Sequence, residues 1–243
     1  MLQVEHRGLD GVRPRAEAAE RDGRPGRVSD ARAISIAIRL LRRVPRPLGG
    51  FEAAEIMAAR TSDLRLLPRA PKAFTIRAAE AGDAPLLERF SGDRNRTPRR
   101  PEPGDDCLLA VAEGRLQAVE WVRWGPAEYG DDRRRLGVRF RIPDRCCWLH
   151  DGGNASGEVV GPWGMLMGRL RTFLEPRGVE TIFLQIDPDD SYSVACHESL
   201  GFRRAGRLAA LRMRNRHLVG FRPEGGGWAR VAGGELDLAR LRV

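Results

Sequence analysis

The run Glu158-Val159-Val160-Gly161-Pro162-Trp163-Gly164 sets two glycines at the start of an apolar helical pattern that continues to Leu174. Within it Leu166, Leu170 and Phe173 or Leu174 recur at three-to-four spacing. Pro162 falls in the first turn, where proline is tolerated. Peptide N–H groups at a helix start lack intrahelical partners and carry partial positive charge, so they can cradle a pyrophosphate. Gly161 and Gly164 let such a ligand approach the backbone closely. Val159, Val160 and Trp163 supply the neighbouring peptide groups. Glycine before a helix is also an ordinary turn, and this pattern alone does not choose between the two.

The elements that must position this turn begin at Phe74. Phe74 to Arg77 is a short strand, and Ala84 to Phe90 a helix after the Gly82-Asp83 break. Cys107 to Ala112 and Leu116 to Trp124 make a hairpin around Glu113-Gly114-Arg115. Val138 to Ile142 and Cys146 to His150 are extended and read as one strand interrupted at Pro143. After the glycine turn and its helix, Gly178 is a stop, and Thr181 to Ile186 is a largely apolar central strand. A helix from Asp190 or Ser191 to Leu200 is closed by Gly201, and Arg207–Arg214 with His217–Phe221 forms a last hairpin. This order predicts an α+β domain over 74–223, a mixed central sheet with helices on both faces.

Composition narrows the function. Lys72 is the sole lysine, so the basic charge is arginine and single exposed arginines carry little meaning. Residues 1–73 hold 15 Lys and Arg against 9 Asp and Glu, while the other 170 hold 27 against 24. A nucleic-acid binder should carry its basic face on the folded domain, so no nucleic-acid partner is expected. Residues 1–73 read as a mostly disordered extension, with an amphipathic helix at 29–44. Such a helix either lies on an anionic membrane, packs on a partner, or belongs to an over-extended translation start with Met57 as the alternative. Membrane contact is not expected. Residues 224–243 are an unplaced appendage. Cys107, Cys146, Cys147 and Cys196 show no C-x-x-C pairing, so no metal site is expected and reduced thiols in a cytoplasmic protein are. Neither a signal peptide nor a bilayer-spanning apolar run is evident.

The segment from Asp187 to Phe202, Asp-Pro-Asp-Asp-Ser-Tyr-Ser-Val-Ala-Cys-His-Glu-Ser-Leu-Gly-Phe, resembles the second signature of the GNAT superfamily of N-acetyltransferases. There an Asn follows a core strand, and a short helix carries a Tyr four residues before Gly-Phe. Gly201-Phe202 matches, Ser193 matches a common small residue, Asp190 stands at the Asn position and His197 at the Tyr position. Together with the turn at Gly161 the resemblance covers about 150 residues. It implies that acetyl-CoA is the acyl donor and an amine-bearing molecule the acceptor. Two parallel strands, here Cys146–His150 and Thr181–Ile186, would splay to admit the pantetheine arm, with the pyrophosphate on the glycine turn. Asp190 and Ser193 would join the cofactor site.

In that scheme the amine attacks the thioester directly and a helix residue protonates the departing thiolate. An imidazolium at His197 suits the second task, with Tyr192 in reserve. His150 and Asp151, at the end of the strand before the turn, either draw a proton from the ammonium or simply close a turn. Gln185 either lines the cleft or bonds within the sheet. Two departures stand out. In the glycine turn, Glu158 puts negative charge where a phosphate should come, Pro162 removes a donor and Trp163 is bulky where small residues are usual; in the later helix, His197 replaces the usual Tyr. A catalytically silent acyl-CoA sensor is therefore the alternative to an enzyme. An arginine-rich nucleic-acid or membrane-surface binder driven by residues 1–73 is the third class.

Overall fold

The computed structural model describes residues 50–65, 74–93, 104–130, 136–155, 161–213 and 216–241. Nine strands make the large sheet: β1 (Gly50–Arg60), β2 (Phe74–Ala78), β3 (Asp105–Ala112), β4 (Arg115–Trp124), β7 (Cys146–Asn154), β8 (Thr181–Ile186), β9 (Arg203–Met213), β10 (Arg216–Pro223) and β11 (Ala229–Arg230). Their spatial order is β11-β10-β9-β1-β8-β7-β4-β3-β2. A second sheet, β12-β6-β5, joins β5 (Ala127–Gly130), β6 (Arg139–Ile142) and β12 (Glu235–Asp237). The helices are α1 (Ala84–Asp93), α2 (Pro162–Met167), α3 (Leu170–Leu174) and α4 (Ser191–Ser199). The α+β class with a mixed sheet is as expected.

Alternation along the strands divides the core between two faces. Leu108, Ala110, Ala118, Val122, Cys147, Leu149, Ile182 and Leu184 bury against Leu166, Met167, Leu170, Leu174 and Val194 of α2, α3 and α4. On the other face Leu109, Val119 and Trp121 pack under α1 through Phe90, Leu86 and Leu87. The rest of that face is covered by the small sheet, where Phe140, Ile142 and Leu236 meet Ile56, Trp148, Phe183 and Leu208.

Four expectations change. The segment 1–73 is not wholly an extension: β1 runs between β8 and β9, antiparallel to both, at the middle of the sheet. Its run Ala53–Ala59 is buried, but alanines at both faces give no period-2 contrast and hide the strand. The expected helix at 29–44 lies outside the described residues. Val138 to His150 is two strands in different sheets, because the turn through Pro143, Asp144 and Arg145 (φ 57°) redirects the chain. The helix expected over Pro162–Leu174 breaks at Gly168-Arg169 into α2 and α3. Residues 224–243 are not an appendage either: Glu235–Asp237 pairs with β6, and Leu236 and Leu238 are buried.

Candidate active site

β7 and β8 are the parallel neighbours of the large sheet, and they pair for four residues, Cys146–Leu149 against Thr181–Leu184. Beyond Leu149, β7 follows β4 as far as Asn154 opposite Ala118. Beyond Leu184, β8 follows β1, ending with Ile186 opposite Glu55. The two strands part at His150 and Gln185. Helix α2 follows β7 and α4 follows β8, so both helices begin on the side where the strands diverge.

On the helix face the centre of this region is Trp163. Its indole Nε1–H donates to Glu120 Oε2 at 2.7 Å, and its peptide N–H donates to Asn154 Oδ1 at 2.6 Å. Glu120 lies on β4 between Val119 and Trp121, which face α1, so its side chain points to the helices. It is 4% exposed. A methyl group at Gly152 would collide with its carboxyl. The carboxyl thus fills a notch at the irregular β4–β7 pairing, where the register shifts between Val119 and Trp121 and Asp151 takes φ 53°. Burial pushes the Glu120 carboxyl up to about 8; the Asp151 charge adds to this and the Trp163 hydrogen bond opposes it.

His197 is buried against this tryptophan, with ring centroids 5.0 Å apart, and meets Phe202 edge-on at 5.4 Å. Its Nδ1 lies 2.7 Å from the Ser193 carbonyl oxygen, so Nδ1 carries the proton and donates. Burial lowers the imidazole's pKa, outweighing the hydrogen bond and the Asp190 charge. A neutral ring with its proton committed to the backbone is not the imidazolium donor expected from the sequence. Tyr192, on the first turn of α4, is 45% exposed. Its phenol is held above its ordinary value by desolvation and by the Cys196 thiol. It therefore keeps its proton at neutral pH.

Asp190 is the N-cap of α4, and its Oδ1 accepts from Ser193 N–H at 2.9 Å. Asp190 and Ser193, two of the residues assigned to the cofactor from the sequence, thus share a helix-capping contact. Gly161 is the residue before α2, with the Gly161 carbonyl accepting from Met165 N–H at 3.3 Å, and Gly164 is buried in α2. Val159 and Val160 lie outside the described residues.

His150 stands on the opposite face from His197, stacked near Trp121 and 4.9 Å from the Tyr129 ring. Its Nδ1 is 3.1 Å from Asp151 Oδ2 and its Nε2 3.4 Å from Asp105 Oδ1. Arg123 Nε also donates to Asp105, and its Nη1 to the Glu128 carbonyl at 3.1 Å. Although burial raises the Asp105 carboxyl, hydrogen bonds from His150 and Arg123 prevail and hold it well below the usual carboxylate range. The two histidines therefore belong to separate clusters on the two sides of the sheet.

Glu120, Asn154, Asp105 and Arg123 were not singled out from the sequence. The signal for two of them was available, since Glu120 and Arg123 are the charged residues in the strand from Leu116 to Trp124. Between β4 and β7, Arg141 pairs with Glu235 at 2.5 Å and Arg139 with Glu128 at 3.9 Å. Arg133, Arg134 and Arg135 fall outside the described residues. Among the described residues no cluster of His, Cys, Asp or Glu suits a metal ion, and no helix is long and apolar enough to cross a membrane.

No family model matches the sequence, and no curated protein matches it. Among solved structures, a GNAT-family protein from Novosphingobium aromaticivorans is similar at 16% identity over 67% of this chain and 63% of that one, with a TM-score of 0.48. A GCN5-related N-acetyltransferase from Kribbella flavida is similar at 17% identity over 70% and 61%, with a TM-score of 0.47. The ribosomal-protein-S18-alanine N-acetyltransferase of Escherichia coli aligns at 18% identity over 53% and 76%, with a TM-score of 0.40. The matched region spans less than two thirds of the first two proteins' own length. All three are acetyltransferase-type proteins, the first of the family that residues 74–223 resemble, and the likeness is one of fold.

Proposed function

We propose that this chain is an acyl-CoA-dependent N-acyltransferase that moves an acetyl group from acetyl-CoA to an amine. The observation that supports it is the parting of β7 and β8 after Leu149 and Leu184. In the acyltransferase scheme the pantetheine arm enters between two such parallel strands where they part. In this reading the diphosphate rests at the turn from Val159 and Val160 through Gly161 to Gly164. The amine nitrogen attacks the thioester carbon, the C–N bond forms and the C–S bond breaks. The thiolate takes its proton from the Tyr192 phenol, and the ammonium loses its proton to the pair His150 and Asp151, directly or through water. The test is titration of the full chain with acetyl-CoA, followed by thiol-release assays over a panel of amines. Absence of binding removes the reading.

A second reading is a silent acyl-CoA sensor. Its support is that Pro162 offers no N–H, the Trp163 peptide N–H is taken by Asn154, and His197 is neutral with its Nδ1–H donated to the Ser193 carbonyl. Binding with no turnover on any amine in the panel would favour it.

A further inference from the structure

The two N–H groups of Trp163 are both held, one by each of two polar side chains on adjacent strands. Asn154 ends β7 and takes the peptide N–H, while Glu120 on β4 takes the indole N–H. Trp163 is the second residue of α2, next to the Gly161 turn. A carboxyl placed among apolar residues with Gly152 cut away to admit it is costly in a core. An apolar side chain would fill that notch with less penalty, so a carboxyl in this place points to a task.

We propose that Glu120, with Asn154, is a positioning residue for the acyl-CoA site: the pair clamps Trp163 and so fixes the start of α2. The inference rests on the acyl-CoA reading and names what tunes that site. A neutral acid accepts the indole hydrogen bond without setting a negative charge one side chain away from a bound diphosphate. Ionisation would add that charge and oppose the ligand. Linkage makes the effect reciprocal, so a bound diphosphate favours the proton on Glu120.

The groups around Glu120 leave it as the one that changes charge on the alkaline side. Asp151 on β7 contributes a negative charge that resists ionisation. Burial raises the thiols of Cys107 on β3 and Cys147 on β7. His197 on α4, beyond the indole, is lowered by burial and is neutral across this range.

The experiment measures CoA affinity of the full chain by calorimetry from pH 6.5 to 9.5, in the parent and in Glu120→Gln. The expected result is a roughly tenfold weakening in the parent across this interval and a flat profile for the variant. Parallel profiles in the two proteins overturn the proposal. Tryptophan emission of the ligand-free proteins is followed over the same range, with Trp163→Phe identifying the signal. A step in the parent that is lost in Glu120→Gln supports the clamp, and its absence from the parent overturns it. If the parent binds no CoA at all, the acyl-CoA reading fails, and the emission titration still decides whether the carboxyl holds Trp163.

Discussion

Glu55 of β1 lies opposite Arg207 of β9, and its Oε1 accepts two hydrogen bonds from that guanidinium, from Nε at 2.6 Å and from Nη2. The pair joins residues 152 positions apart in the chain across the middle of the sheet. On its other edge the same strand sets Glu55 opposite Ile186, the last residue of β8. Strand β1 is therefore the piece that connects the β8 side of the sheet to the β9–β10 hairpin.

A chain that begins at Met57 would lose Gly50 to Ile56, leaving seven of the nine β9 positions that face β1, and Gln185 and Ile186 at the end of β8, without their partners. It is expected to aggregate or to melt without cooperativity, in contrast to the full chain, by circular dichroism and size exclusion. Within the intact chain, Glu55→Ala should cost about 3 kcal/mol, because it strands a largely buried guanidinium. Glu180→Ala, which breaks the exposed pair with Arg145, should cost less than about 1 kcal/mol. Urea unfolding of both variants checks the contrast.

The sequence made legible those elements whose sidedness is written in residue type. Cys107–Ala112 and Thr181–Ile186 carry mostly apolar runs, and the helix after Asp190 is bracketed by its Asp cap and Gly201. Strand β1 escaped because Ala53, Ala54, Ala58 and Ala59 bury with little hydrophobic signal, and because its partners β8 and β9 come more than a hundred residues later. The site divided in the same way. Local spacing alone made Gly161, Tyr192 and Gly201-Phe202 candidates. The Glu120–Trp163 contact could not, since it depends on a β4–β7 register shift and a bare Gly152 that become neighbours only in the sheet.

Gly201 supplies a second stability prediction. It adopts φ +105°, and a β-carbon there would sit 2.5 Å from the Asp63 carbonyl oxygen in the turn after β1. Gly201→Ala thus meets both backbone strain and a backbone wall, and should destabilise the protein by about 2 kcal/mol or more. Gly178 also has positive φ but faces open space. Gly178→Asn, which tolerates the left-handed region, should cost less than about 1 kcal/mol. Equal losses in thermal melts would remove the Asp63 contact as the cause.

Glu120 has a stability consequence independent of any ligand. Its folded-state carboxyl sits near 8, raised by burial, whereas a solvated Glu titrates near 4.3. Between these values the folded protein holds a proton that the unfolded chain has lost, so stability falls as pH rises through the window. The contribution is fully present below the unfolded value and gone above about 8. Glu120→Gln cannot ionise and escapes the loss. From pH 4 to pH 9 its stability relative to the parent should rise by on the order of 4 kcal/mol. Urea unfolding of both proteins at a series of pH values would show it, and a constant difference would mean that Glu120 titrates normally.

The last prediction separates Tyr192 from His197. In the proposed transfer the proton for the departing thiolate comes from an exposed phenol that keeps its proton at neutral pH, not from the buried imidazole. Removing a general acid lowers turnover by about a hundredfold or more without changing ground-state binding. Tyr192→Phe should therefore lower kcat by at least about that factor with CoA affinity unchanged, once an acceptor is in hand. His197→Ala should act on the fold, by opening the space between Trp163 and Phe202 and costing about 2 kcal/mol or more. The pH signs also differ. In the unfolded chain an imidazole protonates near pH 6.5, while in the fold burial holds it lower. Stability from His197 is thus present above the unfolded value and is lost as pH falls through the folded one. His197→Gln should remove that acid-side loss while leaving the alkaline side unchanged. If instead His197→Gln melts like the parent at every pH and abolishes turnover with CoA still bound, the imidazole is the donor and Tyr192 is not.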